Sequence, residues 1–395
     1  MVSLDLLLRL ELEGLKKQGL FREMKRIGSG QGPVVTIDGK DTILLSSNNY
    51  LGLAFHPEII EAQINALKEF GSGSCASRLI SGNMGPHEIL EEKIAAFKHT
   101  EAAIVFSTGY MANVGVISAL LKENDLIVCD KLDHASIIDG ARMSGARLRT
   151  YPHKNLEKLK DILKKETGYG KRLIVSDGVF SMDGDIAPVP ELISIADQFD
   201  SFLMIDDAHS TGVLGKTGRG TCEYFGIKEG VDIHMGTLSK AFGCLGGFVA
   251  GQRPLIEYIR NKARSFIYTT GLPPAVTAGC VKAIEIAEKD HCLRKKLWHN
   301  IKRFKLSLME LGFDTMGSET QIIPVFTGDI SRTMRSAEIL FKMGVFAPGV
   351  RPPTVPKNKC RIRASLIATH TDEHIDKVIE AFRRLKDEGI LCNRD

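Results

Sequence analysis

Five short apolar runs recur along the middle of the chain: AAIVF (102–106), LIVCD (126–130), RLIVSD (172–177), FLMIDD (202–207) and DIHMGTLS (232–239). Each carries hydrophobic residues with little alternation, the pattern of a strand covered on both faces. The stretches between them take helical spacing, as in HASIIDGARMSG (134–145). Strands alternating with helices predict an α/β fold whose central sheet is mostly parallel and covered by helices. Upstream, residues 4–26 have amphipathic helical spacing. VVTIDGKDTILL, within 33–46, reads as a hairpin turning at Asp38-Gly39.

The texture changes near residue 290. Long charged helices over 292–311, 332–343 and 371–388 frame short strands at 322–328 and 360–366, which predicts a smaller C-terminal α+β domain. The expected division is an N-terminal helix and hairpin (1–45), a large domain (46–288) and a small domain (289–395).

Length and charge narrow the function. A chain of 395 residues exceeds the usual 100–200 of one domain. It has 52 Lys and Arg against 48 Asp and Glu, a net charge of +4, which predicts no strong attraction to nucleic acid or a membrane surface. No segment approaches the roughly 18 apolar residues of a membrane span. The leucine-rich start is interrupted by acids, unlike a secretory signal. The eight cysteines form no C-x-x-C pair. A reduced, cytoplasmic setting is therefore expected.

Three motif matches fail on context. GSGQG (28–32) precedes a strand instead of leading from one into a helix. GKT (215–217) would need a glycine at position 210, which is Ser210. His370 and His374 have the i, i+4 spacing of metal ligands, but Thr371 reads as a helix N-cap that leaves His370 outside the helix. No metal site is expected.

The chemistry gathers at the carboxyl ends of the predicted strands, where open α/β sheets bind ligands. Asp206, ending FLMI, could pair with a protonated pyridine nitrogen and keep that ring electron-poor. Lys240, after Thr237-Leu238-Ser239, could reach a cofactor aldehyde. Ser107-Thr108-Gly109-Tyr110 opens a helix whose backbone N–H groups suit a phosphate. His134, after LIVCD, could stack on a planar ring. Each has a plainer reading: a solvated lysine, a local Asp–His turn, a capping histidine, ordinary turn chemistry. Their joint occurrence on one sheet points to pyridoxal phosphate, held by Lys240 as a Schiff base.

These stretches resemble the α-oxoamine synthase family of fold-type I pyridoxal-phosphate transferases. The likeness runs from NNYLGL (48–53) to RIRASLIATHT (361–371) through FSTGYMAN (106–113), DHASIIDGAR (133–142), SDGVFSMDGD (176–185), DDAHSTGVLGKTGRG (206–220) and GTLSKAFGCLGG (236–247). The resemblance implies that Asp206 faces the pyridine nitrogen and that His209 and Ser181 reach the ring hydroxyl. It places His134 on the ring face, and Thr108, Gly109, Tyr110 and Thr237 around the phosphate. Thr269 and Thr270 would reach the phosphate of a neighbouring subunit, which implies a homodimer with shared active sites. Asn48 and Arg363 would fix the amino-acid carboxylate, and Arg22 could meet the anionic end of a thioester.

IYTTGLPPA (267–275) and VRPPTVP (350–356) resemble the biotin-pathway branch, which joins L-alanine to a pimeloyl thioester carried by CoA or acyl carrier protein, with loss of CO₂. The text at Cys75–Leu79, with Arg78, is nearer to relatives that use glycine with acetyl-CoA or serine with a long acyl-CoA. An aminotransferase, a carbon–carbon lyase and a non-catalytic binding homologue are the remaining alternatives.

Overall fold

The computed structural model describes residues 3–389. The chain divides into two compact units. The larger comprises residues 48–181 and 185–297; the smaller comprises residues 1–47, 182–184 and 298–395. The N-terminal residues, set apart by the sequence reading, thus share a unit with the C-terminal ones.

The strands in chain order are β1 (Val34–Ile37), β2 (Lys40–Leu44), β3 (Ala102–Phe106), β4 (Leu126–Asp130), β5 (Arg147–Tyr151), β6 (Arg172–Asp177), β7 (Phe202–Asp206), β8 (Ile233–Thr237), β9 (Gly247–Gly251), β10 (Ile322–Gly328), β11 (Val345–Phe346), β12 (Gly349–Val350) and β13 (Cys360–Ser365).

The larger unit is built on a seven-stranded sheet of order β3-β9-β8-β7-β6-β4-β5. All its pairings are parallel except those of β9, which runs antiparallel to both β3 and β8. Strand β3 therefore runs the same way as β4, β6, β7 and β8, and their carboxyl ends share one edge. Alternate side chains feed two cores. Ile104, Ile127, Val175, Met204 and Met235 pack with Ala112, Val116, Ile137 and Ile259 on one face. Val128, Ile174, Leu203 and Ile205 pack with Leu159, Leu163 and Leu192 on the other. Burial of each such Val, Leu or Ile contributes about 1.5–3 kcal/mol, and two-sided cover explains why these strands read as apolar runs.

Two of these strands are absent from the sequence reading. Strand β5 is an edge strand, RLRTY, whose first four residues are all partly or fully exposed, so it lacks the apolar run. Strand β9, GFVAG, is fully buried but begins and ends in glycine. A Cβ at Gly247 would stand 2.5 Å from Gly109 Cα, so the strand must stay bare where it passes the helix beginning at Gly109.

The smaller unit holds two three-stranded sheets, β1-β2-β11 and β10-β13-β12. The predicted hairpin is present, with β1 and β2 antiparallel and Asp38 and Gly39 at positive φ in its turn. The helices His291–Glu310, Ile330–Lys342 and Asp372–Asp387 match the expected long charged helices to within two residues. The N-terminal helix is shorter than expected, Leu4–Lys17 rather than 4–26. Gly19, at φ 67°, turns the chain, and Leu20 N–H closes back on Leu15 O.

Thr371 caps its helix as expected, accepting from His374 N–H. His370 is fully buried between Ile367 N–H and Leu44 O, and burial pushes it down to about 3. Among the described residues no cluster of three metal-binding side chains occurs, and no helix is long and apolar enough to cross a membrane. Seven cysteines are free thiols; Cys392 lies outside the described residues.

Candidate active site

The shared carboxyl edge of the large sheet carries Thr108, His134, Asp206 and Lys240, which follow or end β3, β4, β7 and β8. Asp206 is the last residue of β7 and only 4% exposed. Ala208 N–H donates to its Oδ1 at 2.9 Å, and Asn113 Nδ2 donates to its Oδ2 at 2.7 Å. Both oxygens are thereby oriented, as a buried carboxylate requires. Next in sequence, Asp207 turns away into a separate network. It takes Lys98 Nζ at 2.9 Å and Thr221 Oγ1 at 2.7 Å, and Ser210 Oγ as well. Burial alone would raise this acid, but Lys98 and the hydroxyl donors hold it below the usual carboxylate range.

His134 both caps a helix and stands at the site. It precedes the helix Ala135–Ser144, and its Nδ1 accepts from Ser136 N–H at 3.3 Å. Burial pulls the imidazole below its ordinary pKa; Asp206 opposes this and Lys240 reinforces it. The ring therefore lies within electrostatic reach of both residues. The same two act on Asp177, the last residue of β6 and the register partner of Asp206. Burial first, and then the Asp206 charge, push Asp177 well above the carboxylate range.

Lys240 is half-buried, three residues beyond β8. Its turn is closed by Gly243 N–H on Lys240 O and by Cys244 N–H on Leu238 O. Thr237 Oγ1 donates to Gly246 O at 2.8 Å and accepts from Ser239 N–H at 3.2 Å, bracing the same turn. His209 is buried, with Tyr50 Oη 2.7 Å from its Nδ1. Ser181 lies in the turn that follows β6.

Thr108 caps the helix Gly109–Leu120, its hydroxyl accepting from Met111 N–H and its carbonyl from Ala112 N–H. The N–H groups of Gly109 and Tyr110 are then the first-turn donors left for an outside acceptor. This is the cradle a phosphate needs. A Cβ at Gly109 would press on Met235 Cε at 3.2 Å, so glycine keeps the backbone accessible there. The Tyr110 hydroxyl is committed to Asp139 Oδ2 at 2.7 Å. Thr270 O accepts from Ser107 Oγ at 3.2 Å, which seats the 269–270 segment beside the cradle of its own chain.

Asn48 opens the larger unit. Arg22 and Arg363 belong to the smaller unit. Arg363 is 8% exposed in β13, with Nη1 donating to Ser365 Oγ at 2.8 Å. Arg22 lies beyond the N-terminal helix, exposed, donating to Thr354 Oγ1 at 3.2 Å.

Asn113, Ser136, Tyr50 and Asp177 are the site residues the sequence reading passed over. All four lie inside or beside the quoted motifs, but nothing in their spacing distinguishes them from structural positions.

The family to which these features point is found over most of the chain. A profile of the aminotransferase class I and II family matches residues 40–382. The chain belongs to that family. Its curated relatives include 8-amino-7-oxononanoate synthases. That of Citrifermentans bemidjiense is 51% identical over 93% of this chain and 95% of its own, and that of Bacillus pumilus is 49% identical over 93% and 94%. Solved structures of the same fold include a serine palmitoyltransferase from S. paucimobilis bearing a PLP–myriocin aldimine. It has a TM-score of 0.93 and 34% identity over 97% of this chain and 98% of that one. The 8-amino-7-oxononanoate synthase of Francisella tularensis has a TM-score of 0.77 and 30% identity over 88% and 99%. The seven-stranded sheet and the small antiparallel sheet of this aminotransferase-family chain are thus those of a fold-type I transferase.

Proposed function

We propose that the chain is a pyridoxal-phosphate acyltransferase that condenses L-alanine with a pimeloyl thioester, releasing CO₂ and the free thiol, to give 8-amino-7-oxononanoate for biotin. The observation that carries this is near-half identity, over almost the full length of both chains, to several proteins of that name. Identity to the serine palmitoyltransferase structures is lower, at 34%.

The residues present fit the cofactor. The helix start at Thr108–Tyr110 offers N–H donors for its phosphate, and Asp206 is a buried, oriented acid for a cationic ring nitrogen. Lys240 sits half-buried at the same sheet edge as a covalent anchor. When bound, pyridoxal phosphate supplies a ring that stabilises negative charge at the amino-acid α-carbon. The chain's own groups do the rest. Asp206 would keep a positive charge on the ring nitrogen. Lys240 would anchor the cofactor and, as a free amine, would act as the general base that takes the α-proton and returns it. His134 would cover the ring face, and His209 and Ser181 would orient the ring hydroxyl. Arg363 supplies a guanidinium fork suited to a carboxylate. A homodimer, in which Thr269 and Thr270 serve the neighbouring subunit, completes the proposal.

The test is product identification by mass. The protein is loaded with pyridoxal phosphate and given alanine, glycine or serine, each with pimeloyl, acetyl or palmitoyl thioester. Product from alanine and the pimeloyl donor supports the reading. Turnover confined to glycine with acetyl-CoA, or to serine with palmitoyl-CoA, would replace it with that of the corresponding relative.

A further inference from the structure

His134 is tied to Asp206 through two side chains that neither the resemblance nor the motif reading assigns a role. Asn113 Nδ2 donates to Asp206 Oδ2 at 2.7 Å and to Ser136 Oγ at 2.8 Å. Ser136 Oγ in turn lies 2.7 Å from His134 Nδ1. Asn113 and Ser136 are almost wholly buried, at 1% and 0% exposure, so water does not substitute for these contacts.

The protons along this path are determined by elimination. An ionised carboxylate only accepts, so the amide must turn its nitrogen to Asp206; the flipped amide would set oxygen against oxygen at 2.7 Å. The same NH₂ group spends its second hydrogen on Ser136 Oγ. Ser136, having accepted there, has its own hydrogen to give, and the neighbour in reach is His134 Nδ1. A second donor agrees: the Ser136 backbone N–H, which cannot accept, also points at Nδ1, at 3.3 Å. Two donors converge on one ring nitrogen, so that nitrogen carries no proton. In the neutral ring the proton sits on Nε2. That edge has no partner among the described residues, while the Nδ1 edge is locked. Asn113 Oδ1, buried without a partner, is left unsatisfied by this arrangement; the amide holds its orientation for Asp206 regardless.

We propose that Asn113 and Ser136 are positioning residues that transmit the orientation of the Asp206 carboxylate to His134 and lock its ring as the Nε2–H tautomer. His134 then offers the open side of the site a hydrogen-bond donor and not a base, leaving proton abstraction to Lys240. Burial also favours the neutral ring. The use made of this donor rests on the acyl-transfer reading above. The tautomer does not, since it follows from the chain alone.

The experiment is ¹⁵N NMR of the holoenzyme labelled in its histidine rings, with the His134 signals assigned by their loss in His134→Gln. Near pH 7.5, His134 is expected to show a protonated Nε2 and a bare Nδ1. Ser136→Ala, which removes the nearer donor, should shift the tautomer ratio toward Nδ1–H by roughly 5- to 10-fold, and Ser136→Thr should restore it. A protonated Nδ1 in the unaltered protein overturns the proposal, even if no variant folds. An unchanged ratio in Ser136→Ala overturns the part given to Ser136. A correct tautomer in a protein that makes no product from alanine and a pimeloyl thioester would sink the substrate reading and leave this one standing.

Discussion

Tyr50 Oη lies 2.7 Å from His209 Nδ1, and both residues are buried, Tyr50 completely. The phenol donates its own proton to Asn48 Oδ1 at 3.0 Å, so its oxygen accepts from His209 Nδ1–H. Under the proposed function, His209 Nε2 would then be the acceptor for a ring hydroxyl. Tyr50→Phe removes the orienting oxygen at the cost of one hydrogen bond, about 1 kcal/mol. Cofactor affinity measured by titration should fall roughly 5- to 10-fold. An unchanged affinity would show that His209 is held by other contacts.

The ion pair of Lys98 and Asp207 makes a separate prediction about stability. Their side chains are 2% and 1% exposed, and they meet at 2.9 Å. Lys98→Met leaves a charged Asp207 buried without its counter-ion, which costs about 3–5 kcal/mol. The urea midpoint should drop accordingly. The double variant Lys98→Met, Asp207→Asn should recover much of the loss, because the stranded charge is gone. Equal midpoints for the two variants would contradict this account.

A pH dependence follows from His153, which bridges Asp130 Oδ1 at 3.1 Å and Asp185 Oδ2 at 3.0 Å. Burial pulls this imidazole down, but the two carboxylates together outweigh burial and lift it to about 9. The folded value exceeds the ordinary 6.5 or so of an unfolded histidine. Its stabilising contribution is therefore fully present below about pH 6.5 and is lost as pH rises through about 9. The difference in urea stability between the unaltered protein and His153→Asn should be largest near pH 6 and shrink toward pH 9–10. A difference that stays constant or grows over that range would mean His153 is not the titrating link.

Much of this architecture was legible because burial on two faces writes itself into composition. Strands β3, β4, β6, β7 and β8 are apolar runs; Asp206 ends β7, and Thr108, His134 and Lys240 stand just past β3, β4 and β8. Where a strand is one-sided, as with Arg147 and Arg149 in β5, or stripped to glycine, as with Gly247 in β9, the run vanishes and the strand goes unread. The N-terminal helix was overextended because amphipathic spacing continues past Gly19, where backbone conformation, not hydrophobicity, ends it. Within the site, Asp206 and Lys240 were conspicuous as charges at strand ends. Asn113 and Ser136 were not, since a polar residue inside a helix pattern reads as solvated until the fold sets a carboxylate 2.7 Å from Asn113. Tyr50 is similar: its partner His209 is 159 residues away, a pairing that no local pattern encodes.

The central claim is that Lys240 is the residue to which pyridoxal phosphate becomes attached. The holoenzyme is treated with borohydride, which fixes the cofactor covalently to the amine holding it, and the digest is read by mass spectrometry. The account predicts one modified peptide, spanning Thr237–Gly246, with the added mass on Lys240 and none in Lys240→Ala. Modification at another lysine, or none in a protein that binds the cofactor, would contradict it.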